Sequence, residues 1–491
     1  MDIEEFRRRG KEIVDAIADY HMTLPQRRPW TDVRPGYLSE LLPDSAPELP
    51  ESWDDIRKDF DRAIIPGLPQ VTVNPHFHGF FPIGFSFPSA LGEMLSEGLG
   101  CVQFTWNSAP ACSELETLVM DWLGKALNLP RAFLSKDDEG KPQSGAGVIQ
   151  GTATEALLVA VLAARKRAAF KLREKRRDLS EQQAAGKLIA YASEYVHTAF
   201  QKCCMIAGVR CRTLPTDDDF SLRGESLKSA IEEDIQAGLT PFFVCATLGT
   251  TGFCSFDNLV EIGPLCQEYD AWLHIDAAYA GSAFICPEFR HYAEGWEFSD
   301  SFNFNAHKML LTSIGCSCMW VKNRKAITEG LNSGETPTYS GPSEEKPDKV
   351  IDHPLWQVPL GTKFRSLKLW IVLRYYGISG LQKNIRQTVE LARKLQSYIT
   401  GDERFRIAAK PHLGLVCFQL KGEDELNRKL FARLNELGKL LIGCADVRGK
   451  FALRFSVNAA QTAESDLQFA WGVIRDAAEE ILKAHEEHSP N

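Results

Sequence analysis

The 491-residue sequence lacks the features that define several large classes of protein. Its longest apolar stretch, Ala156–Ala164, is far too short to span a membrane. The N-terminus has no apolar region of a secretory signal, and the thirteen cysteines show no paired CxxC spacing of a zinc site. A net charge of −9 argues against a nucleic-acid partner. We therefore expect a soluble, cytoplasmic protein with reduced thiols, no metal and no membrane contact.

What is present is an ordinary globular composition with a clear periodic pattern. Hydrophobic residues make up 44% of the chain and charged residues 25%. From about residue 86 to residue 320, short apolar strands alternate with helical segments, which predicts an α/β fold with a mainly parallel sheet. The expected strands are Gly145–Ile149, Leu188–Tyr191, Phe242–Thr247, Ala271–Ile275 and Ser317–Val321.

The two ends of the chain differ from this central part. Residues 1–22 have apolar side chains at helical spacing, and a proline-rich connection follows. Residues 322–355 are polar, and a loop of that length in a compact chain is usually functional or disordered. We expect an N-terminal helical segment at 1–85, a large α/β domain at 86–360 with a mobile loop at about 325–355, and a small α+β domain at 361–491.

Two charged residues in apolar surroundings predict a specific chemistry. Lys308 follows a histidine, about thirty residues after Asp276, which ends an apolar strand. A lysine amine can condense with an aldehyde, and a carboxylate can keep a pyridine nitrogen protonated, which are the two requirements of a pyridoxal phosphate enzyme. Either residue alone would be an ordinary charged surface residue.

Further polar residues follow other predicted strands. Thr152 and Glu155 have capping-box spacing at the start of an apolar helix, whose free N–H groups can bind an anion. The motif alone can be a simple cap, but beside a cofactor lysine it predicts a phosphate site with Ala153 and Thr154 as donors. His197 also follows a strand, where it could stack on a cofactor ring or could be an ordinary partner of its neighbours.

The chain resembles the group II pyridoxal phosphate-dependent decarboxylases, and within them the aromatic-L-amino-acid decarboxylase branch. The resemblance runs from about residue 1 to residue 480. It implies a fold-type I enzyme, similar to aspartate aminotransferase, that is an obligate homodimer with shared active sites and a dimer-swapping N-terminal segment. The motifs that carry it are Trp106–Glu116, Leu273–Pro287, Ser301–Lys308, Trp356–Gly361 and Phe364–Lys368.

The resemblance also implies roles for individual residues. Lys308 matches the family's Schiff-base lysine, Asp276 its pyridinium partner and His197 its ring-stacking histidine. Tyr339, in the polar loop, matches within two residues the tyrosine that crosses from the partner subunit and protonates the substrate carbon. Positions near the phosphate are matched by Ala153, Thr154, Asn305 and His307, and positions around the ring by Thr251 and Ala278.

The substrate pocket departs from the family pattern. Phe80 stands where many relatives have tyrosine, and Thr72 falls roughly where animal members have tryptophan. Loss of the phenolic hydroxyl favours tryptophan or phenylalanine over catechol substrates. An apolar slot for a flat side chain is expected from Phe80, Phe81 and Pro82 together with Val102 and Phe104, although each could also be ordinary core. The resemblance implies that Val102 and Phe104 match positions contributed from the other subunit.

These implications favour decarboxylation of an aromatic L-amino acid (tryptophan, phenylalanine, tyrosine or dopa) to the arylalkylamine and CO2. An aromatic aldehyde synthase is the first alternative, but the chain keeps Tyr339 and His197, one of which such enzymes typically replace. Histidine decarboxylation is the second alternative, because His76 and His78 are similar to that branch. A catalytically inactive interaction protein is disfavoured, since it would not need all of these groups.

Overall fold

A computed structural model of the chain describes residues 1–68, 73–331, 353–457 and 459–488. The predictions for Thr72 and Tyr339 lie outside these residues. Contacts between residues group the chain into two compact units. The smaller unit comprises Met1–Pro82, Arg393–Ala408 and Cys417–Asn491, and the larger comprises Ile83–Ala392 and Ala409–Val416. The division into three domains drawn from the sequence stays a prediction.

The regular elements alternate along most of the chain. The strands are β1 Phe77–His78, β2 Val102–Gln103, β3 Ala146–Gln150, β4 Leu188–Ser193, β5 Arg210–Leu214, β6 Thr240–Thr247, β7 Trp272–Asp276, β8 Ser301–Asn305, β9 Ser317–Val321, β10 Thr362–Lys363, β11 Phe405–His412, β12 Leu415–Leu420, β13 Leu441–Val447 and β14 Lys450–Ser456. The helices are α1 Ile3–Thr23, α2 Tyr37–Leu41, α3 Trp53–Asp59, α4 Phe87–Gly98, α5 Pro110–Leu127, α6 Ala153–Lys175, α7 Glu181–Ala185, α8 Ala199–Ala207, α9 Gly224–Gln236, α10 Leu259–Glu268, α11 Ala306–Met309, α12 Arg324–Leu331, α13 Arg365–Thr400, α14 Asp424–Leu437 and α15 Glu464–His488.

A seven-stranded sheet in the order β3-β9-β8-β7-β6-β4-β5 forms the centre of the larger unit. Its strands from β8 to β5 are paired in parallel, and β9 alone runs against its neighbours β8 and β3. The side chains of β3, β4, β7, β8 and β9 are buried along their whole length, as expected for a sheet covered on both faces. The prediction of an α/β fold with a mainly parallel sheet is confirmed.

Helix α6 supplies much of the cover for this sheet. Its buried positions are mostly alanine and valine, small side chains that permit a close approach to neighbouring elements. A Cβ added at Gly330 of α12 would lie 2.7 Å from the Cα of Ala163, so α12 contacts α6 almost backbone to backbone. The basic run that begins at Arg165 occupies the C-terminal half of α6, where cations complement the helix dipole.

A five-stranded sheet in the order β1-β13-β14-β12-β11 belongs largely to the smaller unit. Strand β1 joins it in parallel, with Phe77 paired with Leu441 and His78 with Ile442. Strands β13 and β14 form an antiparallel hairpin across Arg448 and Gly449, both of which have positive φ. Among the described residues, no helix of either unit is long and apolar enough to cross a membrane.

Helix α13 is longer than the sequence indicates. The sequence predicts a helix at Phe364–Tyr376, but α13 continues to Thr400, and its regular geometry is interrupted only at Gly377, with φ 61° and ψ 173°. Glycine tolerates this backbone conformation without steric penalty, so the chain changes direction there and resumes the helix. Strand β5, which the sequence did not predict, is an edge strand whose first residues are exposed and polar.

Candidate functional site

The predicted site residues follow the carboxyl ends of parallel strands. Strands β4, β6, β7 and β8 are paired in parallel, and β3 shares their direction because both β3 and β8 run against β9. Carboxyl ends of parallel strands meet at one edge of a sheet, where open α/β folds bind ligands. We call this the carboxyl edge; its strand ends are Gln150, Ser193, Thr247, Asp276 and Asn305.

The turn after β3 presents the N-terminus of α6 at this edge. Thr152 is the N-cap residue, and its hydroxyl accepts from the backbone N–H of Glu155 at 3.1 Å. The Glu155 carboxylate accepts from the N–H of Gly151 at 2.8 Å, one residue before the position that a capping box would use. The N–H groups of Ala153 and Thr154 belong to the first helical turn, where backbone donors have no intrahelical acceptor. N–H groups in this position can bind an anion, so the predicted phosphate contacts of Ala153 and Thr154 stay a prediction that this geometry permits.

Asp276 places a carboxylate at the centre of the edge. It is buried, between Thr247 of β6 and Asn303 of β8 in the sheet register. Its Oδ1 accepts from the N–H of Ala278 at 3.0 Å. Burial, and after it the negative charge of Asp276, raises the pKa of the Cys203 thiol to about 12. The negative charge of Asp276 would stabilise a cationic N–H group placed beside it.

A buried network behind Asp276 was not predicted from the sequence. The Ser301 hydroxyl accepts from Trp272 Nε1 at 2.7 Å and lies 2.7 Å from His274 Nδ1, while His274 Nε2 donates to Asn303 Oδ1 at 2.9 Å. Burial lowers the pKa of His274 to about 4, so the ring is neutral. The sequence contained one signal for this network. His274 lies two residues before Asp276 in a strand, so both side chains point to the same face of β7.

Lys308 lies in the short helix α11, directly after β8, and is half-buried. His307 is buried, and its Nδ1 accepts from the N–H of Cys316 at 3.1 Å, which leaves Nε2 as the N–H donor. Burial and the charge of Lys308 lower the pKa of His307 to about 4. Asn305 is the N-cap residue of α11, and its N–H donates to the carbonyl of Ala278 at 3.0 Å.

Two further predicted residues lie in turns of the carboxyl edge. His197 follows β4 and is exposed, and its Nδ1 accepts from the N–H of Ala199 at 3.1 Å. A ring nitrogen that accepts carries no proton, so Nε2 is the protonated atom. Thr251 follows β6 and is exposed, next to Thr250, whose buried hydroxyl lies 2.7 Å from that of Ser255.

The edge also contains buried polar atoms that no described residue satisfies. These are Ser193 Oγ at the end of β4, Thr247 Oγ1 at the end of β6 and Asn305 Oδ1 at the end of β8. Buried polar atoms without a partner are uncommon in native proteins, and three of them at strand ends of one edge indicate a polar ligand. A lysine, a buried carboxylate and a helix N-terminus together fit a cofactor with an aldehyde, a ring nitrogen and a phosphate.

The residues predicted to contact substrate fall in both units. In the smaller unit, Phe80 is 63% exposed and has φ 51°, while Phe81 is buried beneath the Arg454 guanidinium, which is 4.3 Å from its ring centre. Arg454 also donates to the Phe80 carbonyl at 2.6 Å, and Pro82 is buried. In the larger unit, Val102 is 62% exposed, and Phe104 is half-buried. Their substrate contacts stay predictions.

The two histidines that raised the histidine decarboxylase alternative have structural partners. His78 is buried; its ring stacks on Phe455 at 3.8 Å, and its Nδ1 lies 3.2 Å from the carbonyl of Ser456. Burial lowers its pKa to about 3. The ring of His76 lies 4.7 Å from that of Phe469. Both are thus engaged in the packing of the smaller unit.

Comparison with known proteins gives relatives that match nearly the whole chain. Residues 35–421 match the pyridoxal-dependent decarboxylase conserved domain. The chain is 48% identical to the aromatic-L-amino-acid decarboxylase of Mus musculus, over 99% of this chain and 100% of that protein. It is 40% identical to Catharanthus roseus tryptophan decarboxylase, solved in complex with L-tryptophan, with a TM-score of 0.91 over 98% of this chain and 99% of the other. The structure of Oryza sativa TDC with PLP and tryptamine is 34% identical, with a TM-score of 0.93 and the same coverage.

Proposed function

Because this chain belongs to the pyridoxal-dependent decarboxylase family, we propose that it converts an aromatic L-amino acid to its arylalkylamine and CO2, with pyridoxal 5'-phosphate as the cofactor. The carboxyl edge carries this proposal, since Asp276 and Lys308 follow the neighbouring parallel strands β7 and β8. The aromatic substrate class is supported by the names of the mouse and Catharanthus roseus relatives.

When bound, pyridoxal phosphate supplies an aldehyde that links the amino acid and a ring that withdraws electrons from its Cα. Lys308 would hold the aldehyde carbon through its amine until the substrate amine replaces it. Asp276 would accept a hydrogen bond from the protonated ring nitrogen and keep the proton there. Burial of the Asp276 carboxylate would strengthen that interaction, because water screens charges less in the interior.

The phosphate would be held by groups from two turns of the carboxyl edge. The N–H groups of Ala153 and Thr154 point out of the N-terminus of α6, and the helix dipole adds a favourable field. Asn305 and His307, on either side of the α11 start, would contribute side-chain N–H donors. His307 suits this role, because its neutral ring carries the proton on Nε2.

Three further residues would contact the cofactor ring. His197 would stack on one face, held by its hydrogen bond with the N–H of Ala199. Thr251 and Ala278 would contact the ring from the turns after β6 and β7. With its proton on Nε2, His197 can also assist proton transfer at the substrate.

Tyr339, outside the described residues, is proposed to deliver the proton to Cα after CO2 has left. Tyr339→Phe should leave that carbon electron-rich for longer, so O2 can oxidise it and the product should shift from amine towards aldehyde, ammonia and peroxide. Substrate binding should change little, because the proton is delivered only after CO2 has left. Quantification of amine, aldehyde and peroxide tests this; unchanged amine without peroxide would point to His197 as the donor.

The substrate side chain is proposed to contact an apolar set of residues, namely Phe80, Phe81, Pro82, Val102 and Phe104. Incubation of the purified protein with tryptophan, phenylalanine, tyrosine, dopa and histidine, with separation of amines and aldehydes, tests the proposal. Formation of an arylalkylamine with equimolar CO2 supports it. Turnover of histidine alone, or aldehyde as the main product, would replace it with one of the two alternatives.

We also propose that the enzyme is a cytoplasmic homodimer. Helix α4 exposes a row of apolar side chains at helical spacing, Phe87, Leu91, Met94 and Leu95, each between 44% and 53% exposed. An apolar row of this kind is typical of a protein–protein interface. None of the thirteen cysteines, all of which are described, forms a disulfide, which is typical of a reducing compartment. Light scattering of the purified protein should give twice the chain mass of 54.9 kDa.

A further inference from the structure

Glu116 is a buried carboxylate that none of the roles above uses. It lies in α5 and is 2% exposed. Its Oε1 accepts from the backbone N–H of Ile149 at 2.7 Å, and its Oε2 accepts from Gln103 Nε2 at 2.9 Å. Because a buried carboxylate is costly unless its oxygens are well hydrogen-bonded, these two contacts account for its being tolerated there.

The contact with Ile149 fixes the strand that leads to the phosphate turn. Strand β3 is an edge strand of the seven-stranded sheet, so the outward groups of Ile149 have no neighbouring strand to bind. Glu116 satisfies the N–H, and Arg365 Nη1 donates to the carbonyl of Ile149 at 3.1 Å. Gln150 follows directly, and then Gly151 and Thr152 start the turn into α6. A shift of Ile149 would therefore move the N–H groups proposed to hold phosphate.

The contact with Gln103 fixes a segment proposed to contact substrate. Gln103 is 1% exposed and lies between Val102 and Phe104. Strand β2 has only two residues, paired with β10 at Thr362 and Lys363, so its backbone pairing is short. The side chain of Gln103 is consequently a principal anchor of residues 102–104.

No described cation neutralises Glu116 at hydrogen-bond distance. The nearest candidate is His353, whose Nε2 lies 3.7 Å from Glu116 Oε1. Both ring nitrogens of His353 are buried, and neither has a hydrogen-bond partner among the residues that the structure describes. The two hydrogen bonds of Glu116 thus depend on its carboxylate geometry, which accepts at both oxygens at once.

We propose that Glu116 is a positioning residue that sets the relative placement of the phosphate turn at 151–154 and the substrate segment at 102–104. The inference rests on the proposed function for the roles of these two segments. On this proposal, one carboxylate influences both the affinity for the cofactor and the affinity for the substrate, although it contacts neither ligand.

Glu116→Met is the first test, because the thioether side chain has a similar length but neither of the two carboxylate oxygens. The N–H of Ile149 and the Nε2 of Gln103 would then both lose their acceptor. We expect the Kd for pyridoxal phosphate, measured by quenching of tryptophan fluorescence in the apoenzyme, and the KM for the amino acid each to rise about tenfold, the size of one lost buried hydrogen bond. The kcat at saturation should stay within about threefold.

Glu116→Gln should keep both constants near the wild-type values. Its amide oxygen can accept from the N–H of Ile149, and its NH2 group can donate to Oε1 of Gln103, which has no partner among the described residues, once the Gln103 amide rotates. The matched control is Glu174→Met, the same chemical change as in Glu116→Met at an exposed position of α6. It should leave Kd, KM and melting temperature unchanged.

Gln103→Ala keeps the proposal testable if Glu116→Met does not fold. It should raise KM and leave the cofactor Kd unchanged, because the contact with Ile149 survives. A lower melting temperature with unchanged Kd and KM for Glu116→Met, or a Kd and KM for Glu116→Gln as high as those of Glu116→Met, would overturn the proposal. The cofactor Kd is measured without turnover, so a failure of the proposed substrate assignment is distinguishable from a failure of this inference.

Discussion

The carboxyl edge and the residues proposed to contact substrate differ in how much of their environment one chain supplies. Asp276, Asn305 and His307 are buried, and each makes a hydrogen bond with a backbone group. Phe80 and Val102, in contrast, are 63% and 62% exposed. The carboxyl edge is therefore assembled within the larger unit alone. The side chains of Phe80 and Val102, which are proposed to contact substrate, are instead largely exposed.

This difference has a functional consequence under the proposed function. Groups that hold a reactive cofactor need fixed geometry, and buried hydrogen bonds to the sheet provide it. Exposed apolar side chains can instead be covered by another surface, which agrees with the proposed homodimer and its shared active sites. Changes at the edge should accordingly abolish chemistry, whereas changes at the exposed positions should alter selectivity.

Lys308→Ala should have the largest effect. Without the amine, the cofactor has no covalent attachment, and decarboxylase activity should fall by at least about four orders of magnitude, or about 5 kcal/mol of barrier. Borohydride reduction followed by mass spectrometry should detect the cofactor adduct in the wild type and in Lys325→Ala, an exposed lysine control, but not in Lys308→Ala. An adduct that persists in Lys308→Ala would exclude this residue as the attachment site.

Asp276→Asn should have the next largest effect. The amide has the same shape but cannot stabilise a protonated ring nitrogen, so turnover should fall about a hundredfold or more, equivalent to about 2.7 kcal/mol. Cofactor content, measured by absorbance after denaturation, should remain near one per chain. Asp270→Asn, at an exposed position just before β7, is the control. Retention of more than about a tenth of the wild-type rate would contradict the proposed role.

The sequence could predict those two residues because their chemistry and position are both unusual. A lysine next to a histidine, about thirty residues after an aspartate that ends an apolar strand, has few structural explanations. Strands β3, β4, β6 and β7 were predicted within one or two residues of their observed ends, whereas β8, which precedes the lysine, was not. The parallel order of the sheet then accounts for their convergence. The family resemblance extended the assignment to less distinctive residues such as Ala278.

Buried polar networks could not be predicted in the same way. The partners of His274 and Glu116 depend on which strands and helices become neighbours, and sequence spacing does not contain that information. Strand β8 was not predicted as a strand for a related reason, since its Ser301 and Asn303 are polar but buried through the His274 network. The hydrophobic pattern fails where the core itself uses hydrogen bonds.

Acidification should destabilise the folded protein through its buried histidines and not through its exposed ones. The pKa values of His274 and His307 are about 4, against 6.5 for the unperturbed ring. Below pH 6.5 these two histidines bind protons in the unfolded chain but not in the folded protein. Their contribution to the free energy of unfolding is therefore full above pH 6.5 and is lost as the pH falls towards 4. Each ring should contribute up to about 3 kcal/mol to this loss.

Urea unfolding of the wild type and of His274→Gln at about pH 7.5, 6 and 5 measures this effect. The variant will be less stable at the highest pH, because it alters the network with Ser301 and Asn303, but its midpoint should depend less steeply on pH. Mutation of the exposed His197 provides the comparison, and we expect it to change activity rather than acid stability. Equal pH slopes in the wild type and His274→Gln would show that His274 is not a main source of the acid sensitivity.

Phe80→Tyr should have the smallest effect and should change selectivity alone. Phe80 is proposed to contact the aromatic side chain of the substrate, and the added hydroxyl can offer one hydrogen bond to a phenol or catechol. A net hydrogen bond contributes about 0.5–1.5 kcal/mol, so the ratio of kcat/KM for dopa to that for phenylalanine should rise about two- to tenfold. Cofactor Kd should not change, because Phe80 lies outside the carboxyl edge.

Phe81→Tyr is the control for an aromatic hydroxyl at a buried neighbour, where the phenol would have to fit beside Arg454. Because Phe81 is buried, the added hydroxyl has to fit into packed surroundings and should lower the melting temperature without the same gain for dopa. The exposed position 80 can accept the hydroxyl without such a loss. If Phe80→Tyr alters cofactor affinity and leaves the substrate ratio unchanged, the contrast between a buried cofactor edge and an exposed substrate contact does not hold at this position.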